Sequence, residues 1–127
     1  MKLNILVTLL VLVVSAAGCR TAPIYNVNSA PINARANVTL AEVGKTISQA
    51  GVGLGWQMRQ VNPGLIEGRL NLRGRTAVVD IPYTTHTFSI LHKETSGLRD
   101  EEGGIHKNYN GWIQNLEKTI TAQLRTL

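Results

Sequence analysis

Apolar and polar residues alternate through four successive runs, 53–61, 65–73, 76–83 and 86–93. A period of two predicts half-buried strands. Ahead of them Leu40, Val43, Ile47 and Ala50 recur at helical spacing. Thr39 and Glu42 precede that run in the order of a capping box, where each side chain satisfies the other residue's free backbone N–H. Gly51 is placed to end the helix in left-handed geometry. Beyond the strands Tyr109, Trp112, Ile113, Leu116, Ile120 and Leu124 keep helical spacing nearly to the C-terminus. Gly111 weakens that helix locally, by ~1 kcal/mol.

Turn chemistry then sets which residues face one another. Gly74-Arg75, with glycine first, suits a two-residue type II′ hairpin. That turn places Leu72 opposite Ala77, Leu70 opposite Val79, Gly68 opposite Ile81, Ile66 opposite Tyr83 and Arg69 opposite Asp80. A loop around Asn62-Pro63-Gly64 pairs Leu54, Trp56 and Met58 with Leu72, Leu70 and Gly68, and Arg59 with Glu67. A turn at Thr84-Thr85 pairs Ile81 with Phe88 and Val79 with Ile90. All three turns leave one apolar and one polar face, and Pro82, which cannot donate to a ladder, argues that the third strand stops at Ile81. The expected fold is α+β: a two-layer sandwich in which a four-stranded antiparallel meander carries two helices on one face, in the order αββββα.

The first residues belong to a different physical object. Met1 and Lys2 lead into an apolar run, Ile5 to Val14, broken only by Thr8 and followed by small residues up to Cys19. The run is about half the ~20 residues needed to span a bilayer. A positive start, a short apolar stretch and a small-residue site predict a secretory signal. Ala16-Ala17-Gly18-Cys19 resembles the lipobox of bacterial lipoproteins. The resemblance implies a diacylglycerol thioether on Cys19, cleavage after Gly18, and usually a third acyl chain on the new amine. Cys19 is the single cysteine, so no internal disulfide or cysteine metal site is available to the domain. Two or three acyl chains hold a protein firmly to a membrane where one does not. Arg20, rather than Asp, after the cysteine resembles the pattern that permits transfer to the outer membrane.

The chain thus divides into a signal peptide (1–18), a lipidated cysteine with an extended tether (19–38) and a folded domain (39–127). Pro23, Pro31 and a repeated Ala-Pro-Ile argue against helix in the tether. Fully stretched, Arg20 to Val38 would span ~60 Å. Ile24, Tyr25 and Val27 are the one place in it with the residue types of a short edge strand.

The chain has 127 residues, 43% of them hydrophobic and 17% charged, with a formal net charge of +5. Outside the cytosol such a charge attracts anionic lipid or wall polymer. A nucleic-acid sheet would need aromatics on its open face, whereas Trp56, Tyr83 and Phe88 alternate to the buried one. There is no nucleophile elbow or phosphate loop; Gly51-Val52-Gly53-Leu54-Gly55 follows a helix, the reverse of what a phosphate cradle requires. His92 and Glu94, two apart on one strand, and His106 are the candidate metal or catalytic group, although no compact ligand motif joins them.

Two surfaces remain for a partner: the polar sheet face and the start of the second helix. On the sheet, Arg73 and Lys93 are the cations not matched by Glu67 and Asp80, with Val78 and Leu91 as a small apolar pair. On the helix, His106, Asn108 and Asn110 stand among aromatics. Val79-x-Ile81-x-Tyr83, Phe88-x-Ile90, Ser96-x-Leu98 and Ile105-His106-Lys107-Asn108-Tyr109-Asn110-x-Trp112-Ile113 resemble a group of small proteobacterial lipoproteins of uncharacterised function. That resemblance implies an envelope location and supports the αββββα order, but carries no catalytic residue. The expectation is a non-enzymatic binding module without cofactor, on the periplasmic face of the outer membrane. It would meet the membrane through lipid on Cys19, with an envelope protein or peptidoglycan as partner and no nucleic acid. The alternatives are a small metal-dependent enzyme around His92, Glu94 and His106, or a periplasmic inhibitor of a cell-wall-active enzyme.

Overall fold

A computed structural model describes residues 23–98 and 105–127, the side chains of 105–107 excepted. The segment read as signal peptide, Cys19 and residues 99–104 between the last strand and the second helix lie outside the described residues. Seven elements follow in order: β1 (Val27–Pro31), α1 (Leu40–Gly53), β2 (Gln57–Asn62), β3 (Leu65–Leu72), β4 (Arg75–Pro82), β5 (Thr87–Ser96) and α2 (Ile105–Leu124). The strands form one antiparallel sheet in the order β1-β5-β4-β3-β2. The meander β2 to β5 is the expected one. The fifth strand is not: it comes from the segment read as tether.

Val27–Pro31 pairs with β5, Val27 opposite Ile90 and Ala30 opposite Phe88. Val27 is buried at 3% exposure and belongs to the core cluster. Ile24, Tyr25, Ala30 and Ile32 pack against that cluster. Proline is compatible with this placement because β1 is an edge strand. The Ala-Pro-Ile repeats therefore flank and end a strand, and residues 23–38 are part of the domain.

Helix α1 begins as its sequence dictates. The Thr39 hydroxyl accepts from Glu42 N–H at 3.1 Å, and the Glu42 carboxylate accepts from Thr39 N–H at 2.8 Å. It runs past Gly51, which is buried, and stops at the Leu54 cap; Gly55, at φ +92°, supplies the left-handed residue. Val43, Ile47 and Ala50 of α1 and Tyr109, Ile113, Leu116, Ile120 and Leu124 of α2 are fully or almost fully buried. They share one core with Trp56, just ahead of β2, and with Ile66, Leu70, Ala77, Val79, Ile81, Tyr83, Phe88 and Ile90 of the sheet. Removing that apolar face from water, at ~25 cal/mol per Å², is what chiefly holds the helices to the sheet. Leu54 and Leu72, expected in the core, lie at its rim, 40% and 45% exposed.

Two registers differ from expectation, β3–β4 by two residues and β4–β5 by two as far as Val79 and by three beyond a bulge in β5. Strands β3 and β4 pair Leu72 with Arg75, Leu70 with Ala77, Gly68 with Val79 and Ile66 with Ile81. The turn is Arg73-Gly74, with φ +52° and +77°, so both turn residues are left-handed as in a type I′ hairpin. The β4–β5 connection holds four residues, Thr84 to Thr87, between the bridged pair Tyr83 and Phe88. The Thr84 hydroxyl accepts from the N–H groups of His86 and Thr87, both at 3.0 Å, and this closes the turn. The β2–β3 register is the expected one, Met58 opposite Gly68 and Arg59 opposite Glu67. Pro82 belongs to β4, opposite Leu65 of β3. The β4–β5 ladder ends at Asp80 opposite Leu91 before resuming at Tyr83, so the residue without an N–H falls in the gap.

Candidate functional site

The outer face of the sheet is organised around Glu67. One carboxylate oxygen lies 3.2 Å from Arg59 Nη2, and the other accepts from Lys93 Nζ at 2.8 Å. Lys93 also stands 3.8 Å from Asp80. The hydrogen bonds from Lys93 and Arg59 hold the Glu67 carboxyl below its ordinary value, and Lys93 is raised chiefly by its bond to Glu67. Lys93 is thus a paired cation, and the expected Arg69–Asp80 pairing is replaced by Glu67 opposite Asp80 and Arg69 opposite Val78. The cause is the two-residue shift in register. Val78 is 2% exposed, too buried for a surface contact, and Leu91 is half-buried. This face offers no cluster of the kind expected from Lys93, Val78 and Leu91.

A bulge in β5 also separates His92 from Glu94. Val79 pairs with His92 and its neighbour Val78 with Glu94, leaving Lys93 as the extra residue. Adjacent strand residues point to opposite faces, so His92 turns toward the helices and Glu94 toward the outer face. The His92 ring meets Tyr109 edge-on at 5.2 Å between centroids, and its Nε2 lies 3.3 Å from the Thr95 hydroxyl. His92 and Glu94 therefore do not share the strand face that joint ligation by the pair would need. The His106 side chain lies outside the described residues. Among the described residues no group of three or more His, Cys, Asp or Glu side chains is placed to hold a metal ion.

Asn110 is engaged inside the molecule. Its Oδ1 accepts from Tyr25 N–H at 2.7 Å, and its Nδ2 donates to the Pro23 carbonyl at 2.9 Å. A residue expected to greet a partner instead holds the N-terminal segment against α2.

Two predicted residues do come together. Arg73, in the hairpin turn, and Asn108, near the start of α2, line one cleft of about 340 Å³ with Leu72, Arg75 and Trp112. The hairpin geometry builds it: Leu72 and Arg75 are directly paired at the strand ends, and the left-handed turn holds Arg73 beside them. Across the cleft, Asn108 is exposed and Trp112 is half-buried, packed on the core. Neither arginine has a carboxylate partner among the described residues. Guanidinium groups remain charged at any physiological pH and match carboxylates two bonds at a time. An indole adds an apolar face against which a sugar ring or a cation can stack. Arg75 and Leu72 were missed because the wrong turn made one a loop residue and the other a core residue. Trp112 was missed because its helical spacing matches the core stripe.

Among the described residues no helix is long and apolar enough to cross a membrane. No protein-family model, no curated protein and no solved structure matches the chain.

Proposed function

We propose that this chain is a lipid-anchored envelope lipoprotein whose domain is a non-enzymatic binding module, taking a carboxylate-bearing partner at the cleft between the β3–β4 hairpin and α2. The juxtaposition of Arg73 and Arg75 with Asn108 and Trp112 carries the binding part of this reading. Two neighbouring guanidiniums favour a carboxylate or a similar anion, the amide supplies a donor and an acceptor, and the indole supplies apolar area. A peptidoglycan stem peptide or an acidic patch on an envelope protein has this chemistry. The anchor rests on the lipobox-like Ala16-Ala17-Gly18-Cys19, and Arg20 supports a place on the periplasmic face of the outer membrane.

The test has two arms. In cells fed labelled palmitate, the wild-type chain incorporates label and Cys19→Ser does not; label in the mutant would sink the anchor. In co-sedimentation with purified sacculi and with detergent-solubilised envelope protein, Arg73→Glu with Arg75→Glu reduces recovery about tenfold, as expected for loss of charge-assisted hydrogen bonds. Unchanged recovery with an intact fold would remove the cleft from function.

A further inference from the structure

A second concavity lies at the opposite end of the sheet from β1. It is a groove of about 610 Å³ between the first turns of α1 and the end of β2, lined by Leu40, Ala41 and Lys45 on one side and by Gln60, Val61, Asn62 and Pro63 on the other, with Tyr83 between. Its polar floor is already satisfied: Gln60 Nε2 donates to the Tyr83 hydroxyl and to the Asn62 carbonyl, both at 2.6 Å. What it presents is mostly hydrocarbon, rimmed by one cation.

Val61 is the telling residue. Gln60 pairs with Ile66 and Asn62 with Leu65, so Val61 is the extra residue of a bulge. Bulges re-aim side chains, and here the result is a β-branched apolar residue 41% exposed on the outermost strand. Uncovered apolar residues on edge strands invite association and are ordinarily replaced by charge. The charge on the rim has one sign. Glu42, the nearest acid on α1, is turned into the capping box with Thr39 and an ion pair with Arg35. Lys45 is exposed and has no carboxylate partner among the described residues.

We propose that this groove binds a short apolar segment of an acidic partner protein, with aliphatic side chains on Val61, Leu40 and Tyr83 and a flanking carboxylate on Lys45. A second copy of the chain is a poor occupant, because it would bring the same net-positive protein, with 13 basic and 8 acidic side chains, to the Lys45 rim. The groove is independent of the arginine cleft and of the anchor.

The full chain in detergent is titrated with a fluorescein-labelled peptide, Glu-Val-Ile-Val-Glu with blocked ends, and with its Lys-flanked counterpart, read by fluorescence anisotropy. The acidic peptide binds, and the Lys-flanked one binds at least about tenfold more weakly, the usual size of one charge-assisted contact. Lys45→Glu reverses that preference, and Val61→Asp abolishes binding of the acidic peptide; both positions are exposed, so the fold survives. Arg73→Glu with Arg75→Glu leaves the peptide affinity unchanged, which separates this site from the cleft. Equal binding of the two peptides, no binding of either, or a preference indifferent to Lys45→Glu would overturn the proposal. So would a dimer in sedimentation velocity that Val61→Asp disperses, since the groove would then be a self-interface.

Discussion

The Tyr25 hydroxyl donates to Glu117 Oε1 at 2.8 Å, seven residues along α2 from Asn110, which accepts the backbone N–H of the same tyrosine. Seven residues are two helical turns, so both partners stand on one face of α2. The bond to Glu117, burial and the carboxylate charge together raise the Tyr25 pKa, so the phenol remains a donor throughout the neutral range. Asn26 adds a further tie, its Oδ1 accepting from His92 N–H at 2.9 Å. The segment is fastened by side chains to one helix and by its backbone to one strand.

Asn110→Ala removes both bonds to that segment at once and leaves Pro23 O and Tyr25 N–H without their partner. The expected cost is about 1–2 kcal/mol, because both groups are close enough to the surface to recover some hydration. Amide exchange should speed up from Tyr25 to Ala30 while the β3–β4 ladder keeps its protection. Uniform acceleration across the sheet would show that β1 opens only with the whole domain.

The hydroxyl of Tyr109 is buried with no hydrogen-bond partner among the described residues, in a side chain 1% exposed, and burial pushes its pKa upward. An unsatisfied buried hydroxyl is destabilising. Tyr109→Phe keeps the ring against His92 and removes the orphan oxygen, so urea unfolding should show a gain of roughly 1 kcal/mol. A loss of stability would reveal a partner for that oxygen.

Acid should weaken the outer face through Glu67. Its pKa is depressed in the folded state by hydrogen bonds from Lys93 and then Arg59. A depressed carboxylate contributes stability that is fully present above its unfolded value, about 4.3, and is lost as pH falls through the lower folded value. Glu67→Gln should therefore lower Tm modestly at neutral pH, where that contribution is present, and flatten the profile below about pH 5, where wild type and variant converge. Glu42, depressed mainly by the Thr39 backbone N–H, titrates in the same direction, so a residual slope remains in the variant. An identical slope in both proteins would show that Glu67 carries no linkage.

The core and the Arg59–Glu67 pair were legible in the sequence, and the partners of Asp80 and Lys93 were not. Moving the hairpin from Gly74-Arg75 to Arg73-Gly74 slides β3 against β4 by two residues, which preserves every inward side chain because strand faces repeat with period two. Leu70 stays inside, though opposite Ala77 instead of Val79. Charges are not protected by that symmetry, so Asp80 exchanges Arg69 for Glu67 and Lys93 is drawn in to bridge the two acids. Arginine in left-handed geometry has no strong local signal, whereas glycine at the first turn position does. Edge strand β1 was visible only as the triplet Ile24, Tyr25 and Val27, since its ladder is made with the distant β5 and the residues just before it are held by Asn110 and Glu117, more than eighty residues away. The arginine cleft was half legible, because Arg73 and Asn108 stand out as polar positions while Leu72 and Trp112 read as core.

The fastening of Pro23 to α2 changes what an anchor at Cys19 would mean. A nineteen-residue leash would let the domain search a hemisphere ~60 Å in radius. With Pro23 gripped by Asn110, only the bonds from residue 19 to residue 23 would separate such a lipid from the domain, ~14 Å when fully extended. The volume swept scales as the cube of the reach and shrinks by roughly two orders of magnitude on those lengths. A protein so held would be a fixture of the membrane surface rather than a probe of the space beyond it, meeting whatever approaches the bilayer closely.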